Sequence, residues 1–118
     1  MIDFNVFGDL ETVQLSPCVK KPKSLTIGQL EASRELWVSS DGRIKAGVWQ
    51  CTEGQFTADR RQIAEYCHII SGSALIENEE EESHQKIQGG DLLVLPKGWK
   101  DKRTITEQMR KLYILSGS

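Results

Sequence analysis

Long apolar runs are missing from this sequence. Its most hydrophobic stretches, such as Leu92-Leu93-Val94-Leu95, fall far short of the roughly 20 residues that a membrane-crossing helix needs, so no membrane partner is expected. Cysteine is scarce as well. Cys18, Cys51 and Cys67 are too few and too scattered for a disulfide framework. Met1-Ile2-Asp3-Phe4 does not open a basic region followed by an apolar core, so no secretory signal is expected. Together these features point to reduced thiols and a cytoplasmic location. Charge of one sign is not in excess either. Fifteen Lys and Arg against 17 Asp and Glu leave a net −2, which argues against a nucleic-acid partner. With 118 residues and 38% hydrophobic content, the chain can bury one modest core, so a single domain is expected.

No long amphipathic helix is visible. What is present is a series of short strand-like segments with turn signals between them. Ser40-Asp41-Gly42-Arg43 reads as a turn, and residues 44–52 as a strand with Trp49 and Cys51 on one face. Glu53-Gly54 ends that strand. Phe56-Thr57 begins another, and Asp59-Arg60-Arg61-Gln62 reads as a polar loop or edge segment. Residues 63–70 form the clearest strand: alternation sends Glu65, Cys67 and Ile69 one way and Tyr66, His68 and Ile70 the other. Ser71-Gly72-Ser73 reads as a tight turn, with Ala74-Leu75-Ile76 returning as a hairpin partner. Residues 77–82, acidic apart from Asn78, read as a solvated loop. Strands are expected at 83–87, at Leu92–Leu95 (buried), at 99–106 and at 109–115, the last with Lys111, Tyr113 and Leu115 on one face. Thr106-Glu107-Gln108 reads as a turn between the final two. Residues 1–35 are poorly patterned and read as an N-terminal arm with edge strands, lying across a sheet edge or on a second subunit. Residues 36–118 make the barrel. The sum is an all-β chain, an antiparallel sandwich or small barrel.

Two units inside residues 54–98 carry a family resemblance. Six residues separate Glu65 from Gly72, and five separate Gly90 from the Pro96-Lys97-Gly98 turn. This spacing resembles the paired motifs of the cupin superfamily. The longer pattern (Gly47-Val48-Trp49, Gly54, Glu65, Gly72, Gly90-Asp91, Glu107, Arg110-Lys111-Leu112-Tyr113) is similar to a branch of mostly uncharacterised single-domain cupins. That branch also takes in ureidoglycine aminohydrolase-like and ethanolamine-utilisation cupins. The resemblance implies an RmlC-like jelly-roll β-barrel, a double-stranded β-helix, with a small-molecule site in its mouth.

Metal-binding cupins carry a His-x-His pair shortly before the glutamate and a further histidine after Pro-x-Gly, because three imidazoles and a carboxylate suit a divalent transition ion. Here the first stretch is Ala58-Asp59-Arg60-Arg61, and the later position is Asp101. The two histidines, His68 and His84, fall elsewhere. No metal cofactor is expected, although a weak divalent ion at Glu65 and Asp101, with Asp59 or Cys67, is conceivable. Where the branch commonly has tryptophan, this chain has Arg103, whose guanidinium suits a carboxylate or phosphate.

The candidate catalytic residues are Glu65 as acid or base, with a pKa raised by its pocket, Tyr113 as proton donor, and Lys111, which shares anion binding with Arg103. Trp49, Arg61, Cys67, Asp101 and Arg103 are candidate ligand-binding residues. Glu65 paired with Arg61 or Lys111 also fits a purely structural ion pair, and Cys51 and Cys67 fit small core positions. Three functions remain open: a metal-independent enzyme on a small anionic or nitrogenous metabolite, a non-catalytic module that binds or senses a small ligand, and a structural protein with a packed barrel. A homodimer is expected.

Overall fold

The computed structural model describes residues 2–78, 80 and 83–117. Eight strands follow a short 3-10 turn at Phe4–Phe7: β1 (Val19–Lys20), β2 (Leu30–Val38), β3 (Ile44–Cys51), β4 (Gly54–Arg60), β5 (Ile63–Asn78), β6 (Ser83–Gln88), β7 (Leu92–Leu95) and β8 (Trp99–Gly117). All strand pairs are antiparallel, and the fold is an all-β jelly-roll barrel.

Two long strands, β5 and β8, run side by side through the whole molecule. Their first and second halves pair with different neighbours. The C-terminal half of β8 lies against β3, and β2 and β1 continue that side; the N-terminal half of β5 lies against β7. The N-terminal half of β8 lies against β4, while the C-terminal half of β5 lies against β6. The sheet therefore folds over on itself, and the bend sits where the β5–β8 register slips between Ile69 and Ala74. Gly72, at φ +88°, occupies this bend; a Cβ there would run into the backbone of Gln108 and Met109.

This corrects three expectations. Ser71-Gly72-Ser73 is an irregularity within one continuous strand, so Ala74-Leu75-Ile76 extends β5 and its partners are β6 and β8. Thr106-Glu107-Gln108 likewise lies within β8, where Glu107 faces Ser73. Leu92–Leu95 is only half buried: Leu95 is enclosed, whereas Leu92 and Val94 are exposed. Residues 79, 81 and 82 of the expected acidic loop lie outside the described residues.

The N-terminal arm does not reach outward. It is tied to the outer face of its own sheet, where Arg110 donates to the carbonyls of Leu10 and Val13, Arg34 donates to that of Gln14, and Ser16 bonds Ser33. Outward-facing Ala32 and Val48 are buried beneath this region. The boundary expected at residue 36 falls inside β2, which pairs with β3 from Glu31 to Val38.

Inside the barrel the apolar and polar residues segregate. Cys51, Phe56, Cys67, Ile69, Ala74, Ile76, Ile87, Ile105 and Met109 form one packed cluster. Beyond it, toward the opposite end, inward positions are occupied by Glu65, Arg103 and Lys111, all buried. Buried charge of this kind requires partners, and it marks the site.

Candidate functional site

Glu65 is inward on β5 because strand alternation puts it with Cys67 and Ile69. Three elements supply its partners. Lys111 of β8 donates to Oε2 at 2.7 Å, and Arg60 of β4 donates to Oε1 through Nε at 2.9 Å and a terminal nitrogen at 2.5 Å. The Cys67 thiol, two residues along β5, donates to Oε2 at 2.7 Å. Burial would raise the pKa of Glu65. The nearby charges of Lys111 and then Arg60, with the bonds from Cys67 and Lys111, outweigh burial and hold it well below the usual carboxylate range. This reverses the expectation of a raised pKa. Glu65 is an ionised carboxylate at neutral pH with both oxygens engaged. Its arginine partner is Arg60, whereas Arg61 is largely exposed and pairs with Asp59 at 3.0 Å.

Cys67 is fully buried, and its thiol is pushed up to about 12, first by burial and then by the charge and hydrogen bond of Glu65 against the opposing pull of Lys111. It is a buttress behind Glu65, away from the cavity wall. Asp101 is also behind the wall. Its Oδ2 accepts bonds from Trp99 Nε1 at 2.5 Å and Arg103 at 2.8 Å. Of the two residues expected to touch a ligand here, Arg103 lines the cavity and Asp101 holds it in place.

The cavity has a volume of about 580 Å³, in the range of small-molecule sites. Glu65, Arg103, Lys111, Tyr113, Trp49 and Arg61 all line it, so most of the sequence-expected site residues share one space. Lys111 Nζ stands 4.5 Å from the Trp49 ring centroid, and the Arg103 guanidinium 5.6 Å from that of Phe56. Trp49 also donates its indole N–H to Glu31 at 3.1 Å. Tyr113 lies across β3: a side chain at Gly47, its cross-strand partner, would collide with the phenol ring. Burial, then the charges of Glu35 and Glu65, raise the Tyr113 pKa, so the phenol stays protonated at neutral pH.

Sequence reasoning did not select Arg60, Phe56, Lys21, Lys23 or Glu31 for the site. For Arg60 the signal was available. Phe56, Ala58 and Arg60 share a face by alternation once β4 is extended to residue 60. Lys21, Lys23 and Glu31 come from the unpatterned arm and from β2, where the sequence carries no comparable cue.

A transition metal does not fit this donor set. The place around Glu65 that imidazoles would occupy holds two cationic side chains, and no His, Cys, Asp and Glu cluster able to hold an ion occurs among the described residues. The conceived ion at Glu65 and Asp101 meets the same obstacle, since each carboxylate already neutralises a cation. The buried Arg103 Nε has no partner among the described residues, which leaves an unspent donor on a cavity-lining cation.

A family model described as the EutQ-like cupin domain matches residues 38–113. The EutQ protein of Clostridium difficile is 19% identical, with a TM-score of 0.71 over 92% of this chain and 84% of its own. A DUF861-family protein of unknown function from Pseudomonas syringae is 21% identical, with a TM-score of 0.74 over 87% of this chain; the match spans 43% of that longer protein. Ectoine synthase from P. lautus is 20% identical, with a TM-score of 0.67 over 80% of this chain and 69% of its own. At these identities the structural likeness speaks to fold. No curated protein matches the sequence.

Proposed function

Since the chain belongs to the EutQ-like cupin family, we propose that its barrel mouth is a receptor for a small anionic ligand and that it works through its own cations. The observation that carries this reading is Arg103: 2% exposed, lining the cavity, anchored to Asp101 through one nitrogen and left with an unpaired Nε. A cavity-lining guanidinium held by a single carboxylate bond has donors left over for an anion. Lys111 and Arg60, held by one glutamate between them, supply a further positive surplus alongside. Trp49 and Phe56 supply apolar walls.

The state of Glu65 favours binding over acid–base chemistry by that residue. A carboxylate that is ionised and saturated with donors neither takes nor gives a proton readily near pH 7. A catalytic reading rests instead on Tyr113, whose protonated phenol lines the same cavity and can donate to a developing oxyanion.

Calorimetric titration of the full chain with butyrate tests the receptor reading. Saturable binding is expected, and it should be lost in Arg103→Gln, with circular dichroism confirming that the variant is folded. Failure of the folded wild-type protein to bind butyrate, succinate and phosphoglycolate alike would sink the reading. If a substrate is found, loss of turnover in Tyr113→Phe with binding retained would assign the phenol its catalytic part.

The outer face of the β7–β5–β8 sheet suits a second copy of the chain. Leu92, Val94, Tyr66 and Ile114 are exposed there and lie side by side, Val94 opposite Tyr66 and Tyr66 opposite Ile114.

A further inference from the structure

Resting on that receptor reading, we infer that the ligand carries two anionic groups, and that Lys21 and Lys23, from the segment ahead of the matched family domain, bind the second one. Six of the cavity-lining side chains are cationic against three carboxylates. The surplus is not uniform. In one group, Arg60 and Lys111 share Glu65. In the other, Lys21 pairs with Glu31 at 3.5 Å, while Lys23 has no carboxylate partner among the described residues. Arg61 is neutralised by Asp59, and Arg103 by Asp101 behind the wall. Arg60, Lys111 and Arg103 together thus carry one charge more than Glu65 and Asp101, and Lys21 and Lys23 together one more than Glu31.

The two centres are close enough for one small molecule. Lys21 Nζ lies 4.5 Å from the Phe56 ring centroid and the Arg103 guanidinium carbon 5.6 Å from the same point, so at most about 10 Å separates them. A compact acid with a carboxylate or phosphate at each end spans that gap. Its first group meets the cations Arg103, Arg60 and Lys111, and its second meets the lysines.

The lysines are not casual surface charges. β1 pairs Val19 and Lys20 with Glu31 and Leu30 on one side of them. On the other, Ser24 bridges to Phe56, Leu25 donates to the Gln55 carbonyl at 2.7 Å, and the buried Gln29 holds the Ser24 hydroxyl and the Thr52 carbonyl. Lys23 itself sits at φ +60°, a conformation that side chains other than glycine rarely adopt. The segment is thus fixed to the barrel at both ends, with two ammonium groups on the cavity. The matched family domain begins at residue 38, so this half of the site belongs to the chain's own arm.

The experiment is a calorimetric comparison of succinate, phosphoglycolate and butyrate on the full chain, wild type and the double variant Lys21→Gln/Lys23→Gln. Lys23 is exposed, and glutamine at position 21, where the lysine side chain is 15% exposed, keeps most of the aliphatic stem, so the fold should survive, with circular dichroism as the check. At least one of the two two-headed acids is expected to bind about tenfold or more tighter than butyrate, and the double variant should erase that preference while leaving butyrate unchanged. Whether succinate or phosphoglycolate wins identifies the distal group as carboxylate or phosphate. Equal affinity for all three acids, or a preference that survives the double variant, would overturn the second anion site and leave the receptor reading intact. Failure of all three to bind would overturn both.

Discussion

Glu65 is the residue on which the polar end of the barrel depends. It is 2% exposed and neutralises two cations from two other strands. Replacing it by glutamine would leave Lys111, itself 4% exposed, without a counter-charge. Breaking one side of a buried pair costs about 3–5 kcal/mol, so Glu65→Gln should lower the unfolding free energy by about that amount in urea titration at pH 7. The pH dependence follows from the sign of the shift. The folded pKa of Glu65 lies below its ordinary value of 4.5. Between the two values the unfolded chain binds the proton and the native chain does not, so stability falls with falling pH. The contribution is complete above about pH 5 and drains away on acidification. Wild type and Glu65→Gln should therefore differ most at neutral pH, and the gap should narrow steadily as pH falls below 4.5. A constant difference across that window would show that the pair does not carry the effect.

At the level of single elements, the bend in β5 decides what the barrel can hold. Before the bend Glu65, Cys67 and Ile69 face inward; after it Ala74, Ile76 and Asn78 do. The inward set moves from odd to even residues because the register slips. Gly72→Ala is expected to cost at least about 1 kcal/mol, seen as a lower melting temperature, since it combines a left-handed φ with a clash against β8. An unchanged melting temperature would mean that the strand can slip without penalty. Glycine at position 72 and the small residues around it were visible in the sequence, but they suit a hairpin turn as well as a bulge. Local composition does not say whether the chain reverses or continues; the partner strand does.

For the molecule as a whole, the question is what covers the outer faces. The arm covers Ala32 and Val48 intramolecularly. The row Val94–Tyr66–Ile114 stays open. A homodimer joined through that row predicts a mass in light scattering of twice the chain, falling to one chain in Tyr66→Glu/Val94→Glu with the barrel still folded. A wild-type monomer would refute it. No helix among the described residues is long and apolar enough to cross a membrane.

The one-dimensional pattern already determined a great deal. Period-two alternation placed Glu65, Cys67 and Ile69 on one face and His68 on the other, and the same rule aligned Lys111, Tyr113 and Leu115, because a strand's facing is set by the backbone itself. The glycine and proline spacing carried the barrel family. Tertiary structure alone decided which charges meet. Alternation says that a side chain points inward but not how far along the barrel it lies. Arg60 rather than Arg61 reaches Glu65, and Lys21 comes alongside Phe56, only because β4, β5, β8 and the arm settle into particular registers when the long strands bend. Lys21–Phe56 and Lys111–Glu65 join residues 35 and 46 positions apart, and the bonds from Lys111 and Arg60 turned an expected proton-transfer carboxylate into a fixed counter-ion.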